Sequence, residues 1–168
     1  LDAFQTELVQ LLPRLRRLAR VFVRSDADAQ DLVQETVERA LAKRRSFRPG
    51  TRLDSWVFTI MRRIHIDHHR AKGRWGMVVT PETEATARVA DLRQADEATR
   101  VEALTARAAM DAMPEEQRLA VALVLIDGLS YAEAARVLEV PEGTLTSRLV
   151  RGRQALARAL EPQEEAGR

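Results

Sequence analysis

Apolar residues in this chain recur at steps of three and four over two long blocks, and the pattern fades between them. Leu8, Leu11, Leu12, Leu15, Leu18, Ala19 and Phe22 share one stripe of a helix over 3–24. Pro13 either kinks that helix or starts its second half, because proline has no N–H to donate. Ser25 and Asp26 offer cap oxygens for a second helix near 27–45, whose stripe is Ala29, Leu32, Val33, Thr36, Val37, Ala40 and Leu41. After a break at Pro49-Gly50, Thr51-Arg52-Leu53-Asp54 reads as a capping box. The third helix it opens buries Leu53, Trp56, Val57, Ile60, Met61 and Ile64, then turns basic as far as Arg74. Residues 76–100, rich in Thr, Ala, Glu and Asp around Pro81, read as a flexible linker.

Helical signals resume near Val101, with Pro114 placed at a helix start. A helix through Leu119, Ala122, Leu123 and Ile126 is expected to end at Gly128, a left-handed cap. Ser130 caps a short helix, a turn follows at Val140-Pro141-Glu142-Gly143, and a longer helix runs from Thr144 to about Leu160. The expected fold is therefore all-α: two small helical domains, 1–75 and 101–161, joined by the linker 76–100.

Composition removes several classes of function. The chain has no Cys among its 168 residues, so neither a disulfide framework nor a thiolate metal site is available. No apolar run approaches the roughly 20 residues of a membrane span, and no membrane insertion is expected. Asp2 and Glu7 interrupt the N-terminus and Arg14, Arg16 and Arg17 follow, unlike a signal peptide, so the expected location is the cytoplasm. No nucleophile–base pair, phosphate-binding Gly loop or dense carboxylate cluster stands out, which argues against an enzyme and against a small-molecule substrate. Net charge is only +2 although the pI is about 9.6, so the distribution of charge says more about partners than its sum.

That distribution is uneven. In SYAEAARVLEVPEGTLTSRLVRGRQAL a short helix meets a longer one through a tight turn, the helix-turn-helix arrangement. Small Ala134 and Ala135 permit close approach, Val140 and Leu145 wedge the crossing, and Leu149 faces the core. Glu142, Thr144, Thr146, Ser147, Arg148, Arg151 and Arg153 are left on or near the exposed edge of the second helix, which in such motifs enters the major groove. The second helix of the chain has an acidic face, Asp28, Asp31, Gln34, Glu35 and Glu38, which by pattern alone is an ordinary solvated surface. His65 and His69 stand four apart, a spacing that can chelate zinc. With no Cys, no HExxH and only Asp67 nearby, neither metal nor cofactor is expected, and the histidines read as a partly charged, DNA-facing surface.

The runs DADAQDLVQETVERAL and SFRPGTRLDSWVFTIMRRIHIDHHR resemble the N-terminal conserved domain of extracytoplasmic-function (ECF) sigma factors. MPEEQRLAVALVLIDGLSYAEAARVLEVPEGTLTSRLVRGRQAL resembles their C-terminal domain, in the family's order. The resemblance implies that Asp28, Asp31, Gln34, Glu35 and Glu38 bind core RNA polymerase. It implies contact with the −10 element by Arg52, Asp54, Trp56, Arg62, Arg63, His65, His69 and Arg70, and with the −35 element by Glu142, Thr144, Thr146, Ser147, Arg148, Arg151 and Arg153. Trp56 has a competing reading as a core residue beside Ile60. Arg63 stands where many relatives carry Asn, which favours phosphate over base contacts there. An anti-sigma partner, often membrane-anchored in this family, is also implied. Two other readings compete: a helix-turn-helix regulator that never joins polymerase, which leaves 26–75 without a role, and a sigma-like decoy, which has no need of Arg148, Arg151 and Arg153.

Overall fold

The computed structural model describes residues 2–74 and 97–161. Its N-terminal unit is three helices, α1 (Ala3–Phe22), α2 (Asp26–Ala42) and α3 (Leu53–Arg74), with a short 3-10 turn at Arg44–Ser46. α1 runs unbroken through Pro13. The carbonyl that Pro13 leaves without a donor belongs to Val9, an exposed residue that water can reach. Asp2 and Gln5 close a capping box at the start of α1, and Ser25 caps α2 through the Asp28 amide. α2 stops three residues short of the expected end, and Leu41 lies exposed rather than on the buried stripe.

The start of α3 departs from the expected capping box. The Thr51 hydroxyl donates to the Arg48 carbonyl at 2.7 Å, and the Thr51 amide is spent on the same carbonyl. Asp54 instead accepts from the Ser55 amide and from two arginines, as described below. Leu53, Val57, Ile60, Met61 and Ile64 are buried as their spacing requires. Phe58 joins them fully buried, with the Arg14 guanidinium 5.2 Å from its ring centroid. Trp56 is only partly buried and packs edge-on with Phe4 and at a tilt with Phe47, so it holds the loop before α3 against α1.

The C-terminal unit comprises α4 (Glu97–Ala112), α5 (Glu115–Val121), a π turn (Ala122–Ile126), α6 (Tyr131–Leu138) and α7 (Glu142–Leu160). α4 begins four residues before Val101, since Glu-Ala-Thr-Arg carries no breaker and puts an acid in the first turn; the remainder of the linker reading, 76–96, lies outside the described residues. The π turn adds a residue to the helix, with the Asp127 amide bonded to the Ala122 carbonyl at 2.9 Å. The extra residue turns Leu125 and Ile126 out to solvent and brings Asp127 inward. Gly128 then takes the left-handed conformation expected of it, φ +69°. α7 packs on α4, α5 and α6, and Gly152 lets it approach α5 so closely that a Cβ there would meet Val121 Cγ2 at 2.5 Å. Among the described residues no helix is long and apolar enough to cross a membrane.

The two units are packed together: α6 lies across α3, and α5 and the π turn rest on α1. This closed arrangement sets which candidate residues are open to a partner.

Candidate core-polymerase and promoter-binding surfaces

The α2 face meets the first requirement of a docking surface, since Asp28, Asp31, Gln34 and Glu38 are exposed. Gln34 donates to Glu38 at 3.0 Å. Glu35 is half-buried and already engaged, by Arg39 at 2.6 Å and His68 at 2.8 Å. The free charge of the face is thus carried by Asp28, Asp31 and Glu38.

On α7, Leu145 and Leu149 point into the core while Glu142, Thr146, Ser147, Arg151 and Arg153 are exposed and Thr144 is partly so. The Ser130–Glu133 capping box fixes the start of α6, and Ala134 and Ala135 are buried at the crossing. Thr146 and Ser147 each bond a carbonyl one turn back, which leaves both hydroxyl oxygens as acceptors toward solvent. Arg148 is the exception on this edge. Its guanidinium is held by Glu116 at 2.9 Å and is largely covered.

The cations of the first unit are placed differently. Arg52 donates to Asp54 at 2.6 Å and to Glu133 of α6 at 3.0 Å. Arg62 and Arg63 converge on one carboxylate, Glu139 at the end of α6, at 2.9 and 2.7 Å. Hydrogen bonds from Arg63, then Arg62, hold that carboxyl below its ordinary range against the opposing effect of burial. Arg70 remains exposed. In the closed arrangement, α6 therefore sets two carboxylates against Arg52, Arg62 and Arg63.

Two of the expected −10 contacts, Asp54 and His65, are buried in this closed arrangement. Asp54 is 6% exposed, with Arg14 bonded to one carboxylate oxygen at 2.7 Å and Arg52 forked across both. Burial pushes its carboxyl up, but the bonds from Arg52, Arg14 and the Ser55 amide outweigh it and bring it down to about 2. In this arrangement it holds Arg52 and is turned away from solvent. His65 is 4% exposed, packed on the Phe22 ring at 4.8 Å with Nε2 3.0 Å from Glu115 Oε1. The histidines are thus not one outward surface, since His65 is buried and the exposed His68 is turned to Glu35 of α2, away from His69.

Sequence reading missed the residues that join the units. Arg14 donates to the Asp127 carboxylate and its backbone carbonyl, both at 3.0 Å, and Arg17 adds a contact at 3.3 Å. The Arg118 guanidinium, buried and therefore lowered in pKa, donates to the Val21 carbonyl at 3.0 Å. These pairs are about 100 residues apart in the chain, so no local period signals them.

Comparison with known proteins agrees with this anatomy. The profile of Sigma-70 region 2 matches residues 8–74, and that of Sigma-70, region 4, matches 103–156. The ECF RNA polymerase sigma factor EcfG of Rhodopseudomonas palustris (strain TIE-1) is 34% identical over 160 residues, 95% of this chain and 86% of that protein. The ECF RNA polymerase sigma factor SigM of Mycobacterium tuberculosis (strain H37Rv) is 37% identical over 150 residues, 88% of this chain and 71% of that protein. Among solved structures, the sigma factor RpoE in complex with the anti-sigma factor NepR from Bartonella quintana superposes with a TM-score of 0.74 at 28% identity, covering 97% of this chain and 99% of that one. CnrH in complex with the cytosolic domain of CnrY shares the fold, with a TM-score of 0.66 at 23% identity over 96% of this chain and 89% of that one.

Proposed function

The chain belongs to the ECF RNA polymerase sigma factors, and from that premise we propose how its surfaces divide the work of promoter-specific initiation. Core RNA polymerase docks on the α2 face through Asp28, Asp31 and Glu38, with Gln34 and Glu35 at its margin. Arg52, Arg62, Arg63, His69 and Arg70 track the strand of the −10 element, with Trp56 bracing the loop that presents it. α7 enters the major groove of the −35 element, where Arg151 and Arg153 supply charge and Glu142, Thr144, Thr146 and Ser147 lie nearest the base edges. Arg148 joins them once it leaves Glu116.

The observation that carries this reading is the division of charge. A free acidic face and a free basic edge sit on different units, and the remaining basic face is neutralised internally by Glu133 and Glu139. Promoter DNA and α6 compete for the same three arginines, so the −10 element is engaged only after α6 leaves α3. Control by an anti-sigma protein, as in the RpoE–NepR complex to which the chain is similar, would act on that step by favouring one arrangement of the units. The protein performs no chemistry of its own and works in the cytoplasm, where polymerase and promoter are.

The test is reconstitution. Purified chain is added to core RNA polymerase with a library of randomised promoters, and the run-off transcripts are sequenced. Initiation confined to templates with two conserved blocks supports the proposal. DNA binding with no initiation contradicts it and returns the chain to the operator-binding regulators.

A further inference from the structure

One cluster joins His69, assigned above to the −10 strand, with two residues that promoter recognition leaves without a role, His65 and Glu115. His65 and His69 lie one turn apart on α3, with ring centroids 4.4 Å from each other. Glu115, from the first turn of α5 and 50 residues further along the chain than His65, reaches across the boundary between the two units to His65. The ligand atoms of all three lie within 4.8 Å of one another. Metal–ligand bonds of about 2.0–2.2 Å set tetrahedral ligands roughly 3.3 Å apart, so small side-chain rotations convert this cluster into two imidazoles and a carboxylate around one ion.

The surroundings suit such an ion. Phe22 packs against the His65 ring with the two planes tilted by 52°, which limits the ordering that binding would require. A cavity of about 160 Å³, lined by His65, Glu115 and Glu116 and also by Arg62 and Arg148, leaves room for water as a remaining ligand, the two guanidiniums being paired with Glu139 and Glu116. The neighbouring Arg118 is directed away, onto the Val21 carbonyl. His69 and Glu115 both reach solvent, which gives an entry path.

We propose that His65, His69 and Glu115 form a divalent transition-metal site, with Zn2+ as the fitting ion, that clasps α3 to α5 and holds the two units closed. Two neutral nitrogens and one carboxylate oxygen are the donor set of zinc sites that keep an open position. Metal binding itself is independent of the promoter-recognition reading, whereas its consequence, suppression of −10 engagement, rests on that reading. Bound metal stabilises the arrangement in which Glu133 and Glu139 occupy Arg52, Arg62 and Arg63.

The full chain, carrying no polyhistidine tag, is titrated with Zn2+ by calorimetry and with Co2+ by absorption. The same titrations are made on His69→Ala, on Glu115→Gln, which keeps its size, and on His68→Ala, whose imidazole faces Glu35 instead. One Zn2+ per chain is expected. Affinity should fall at least about tenfold in His69→Ala and Glu115→Gln and hold in His68→Ala. Because the chain has no Cys, Gln10→Cys and Gln154→Cys on exposed faces of α1 and α7 can carry a dye pair, and Zn2+ should hold the dyes close against a −10 oligonucleotide that separates them without metal, and weaken binding of that oligonucleotide. Equal Zn2+ affinity in wild type, His69→Ala and Glu115→Gln overturns the site. Tight binding with dyes that the oligonucleotide separates equally with and without Zn2+ overturns the clasp. Failure to initiate with or without metal overturns the promoter reading instead, and leaves a positive titration standing.

Discussion

Glu139 does two things at once, and substitution separates them. It ends α6 in the left-handed conformation, φ +53°, and its carboxylate receives three N–H bonds from Arg62 and Arg63 at 2.7–3.0 Å. Glu139→Gln removes the charge and keeps the strained backbone, whereas Glu139→Gly removes both. The ion pairs are partly exposed, and each such pair contributes roughly 0.2–1 kcal/mol. Losing two of them shifts the closed–open balance by about 1 kcal/mol, or about fivefold. A left-handed non-glycine residue costs about 1–2 kcal/mol, and glycine gives back about 0.4–1 kcal/mol through the unfolded chain. Glu139→Gly should therefore stabilise the C-terminal unit by about 0.5–1 kcal/mol, while Glu139→Gln should not. Both variants should bind a single-stranded −10 oligonucleotide about fivefold more tightly than wild type at low salt, with the difference shrinking as salt is added. Affinity is read by fluorescence anisotropy and stability by urea denaturation. Unchanged DNA affinity in both variants would refute the idea that α6 competes with DNA for Arg62 and Arg63.

Further expectations concern other parts of the molecule. Asp54 has a folded pKa of about 2 against an ordinary 3.8, so the stability its ion pairs supply, about 2 kcal/mol, is complete above pH 4 and lost as pH falls through 2. Asp54→Asn should flatten that part of the acid-denaturation curve, and a curve of unchanged shape between pH 4 and pH 2 would count against it. Gly152→Ala places a methyl 2.5 Å from Val121 Cγ2 and 3.3 Å from the Gln117 carbonyl oxygen, so it should destabilise the C-terminal unit by about 1–3 kcal/mol in a thermal melt. Arg151→Ala should leave the melting temperature unchanged and weaken −35 duplex binding. A phosphate contact would show as a salt-dependence slope lower by about 1, and a base contact as relaxed specificity at one position.

Much of the fold is legible in the sequence because the forces that set it are local. The stripe Leu8–Leu11–Leu15–Leu18, the Ser130 cap and the left-handed Gly128 all follow from residues within two turns of each other. Where reading failed locally, a competing bond decided the outcome. The Thr51 hydroxyl has an acceptor in Arg48 and so does not cap α3, and the extra residue of the π turn put Ile126 out of phase. The candidate surfaces were legible only by residue type. Asp31 and Arg151 are open as their faces predict, but nothing near Asp54 or His65 in the chain announces that Arg14 and Glu115 will cover them. Those contacts depend on how two separately patterned units meet, and their complementary charges carry no period.

The claim that most needs testing is that the arginines of α3 and of the loop before it leave α6 when the promoter is engaged. A chain labelled at Gln10→Cys and Gln154→Cys is followed by single-molecule energy transfer as core RNA polymerase and then promoter DNA are added. A short dye separation is expected in the free chain and a longer one in the complex that initiates RNA. A separation that stays at its free-chain value while transcripts are made would contradict the claim.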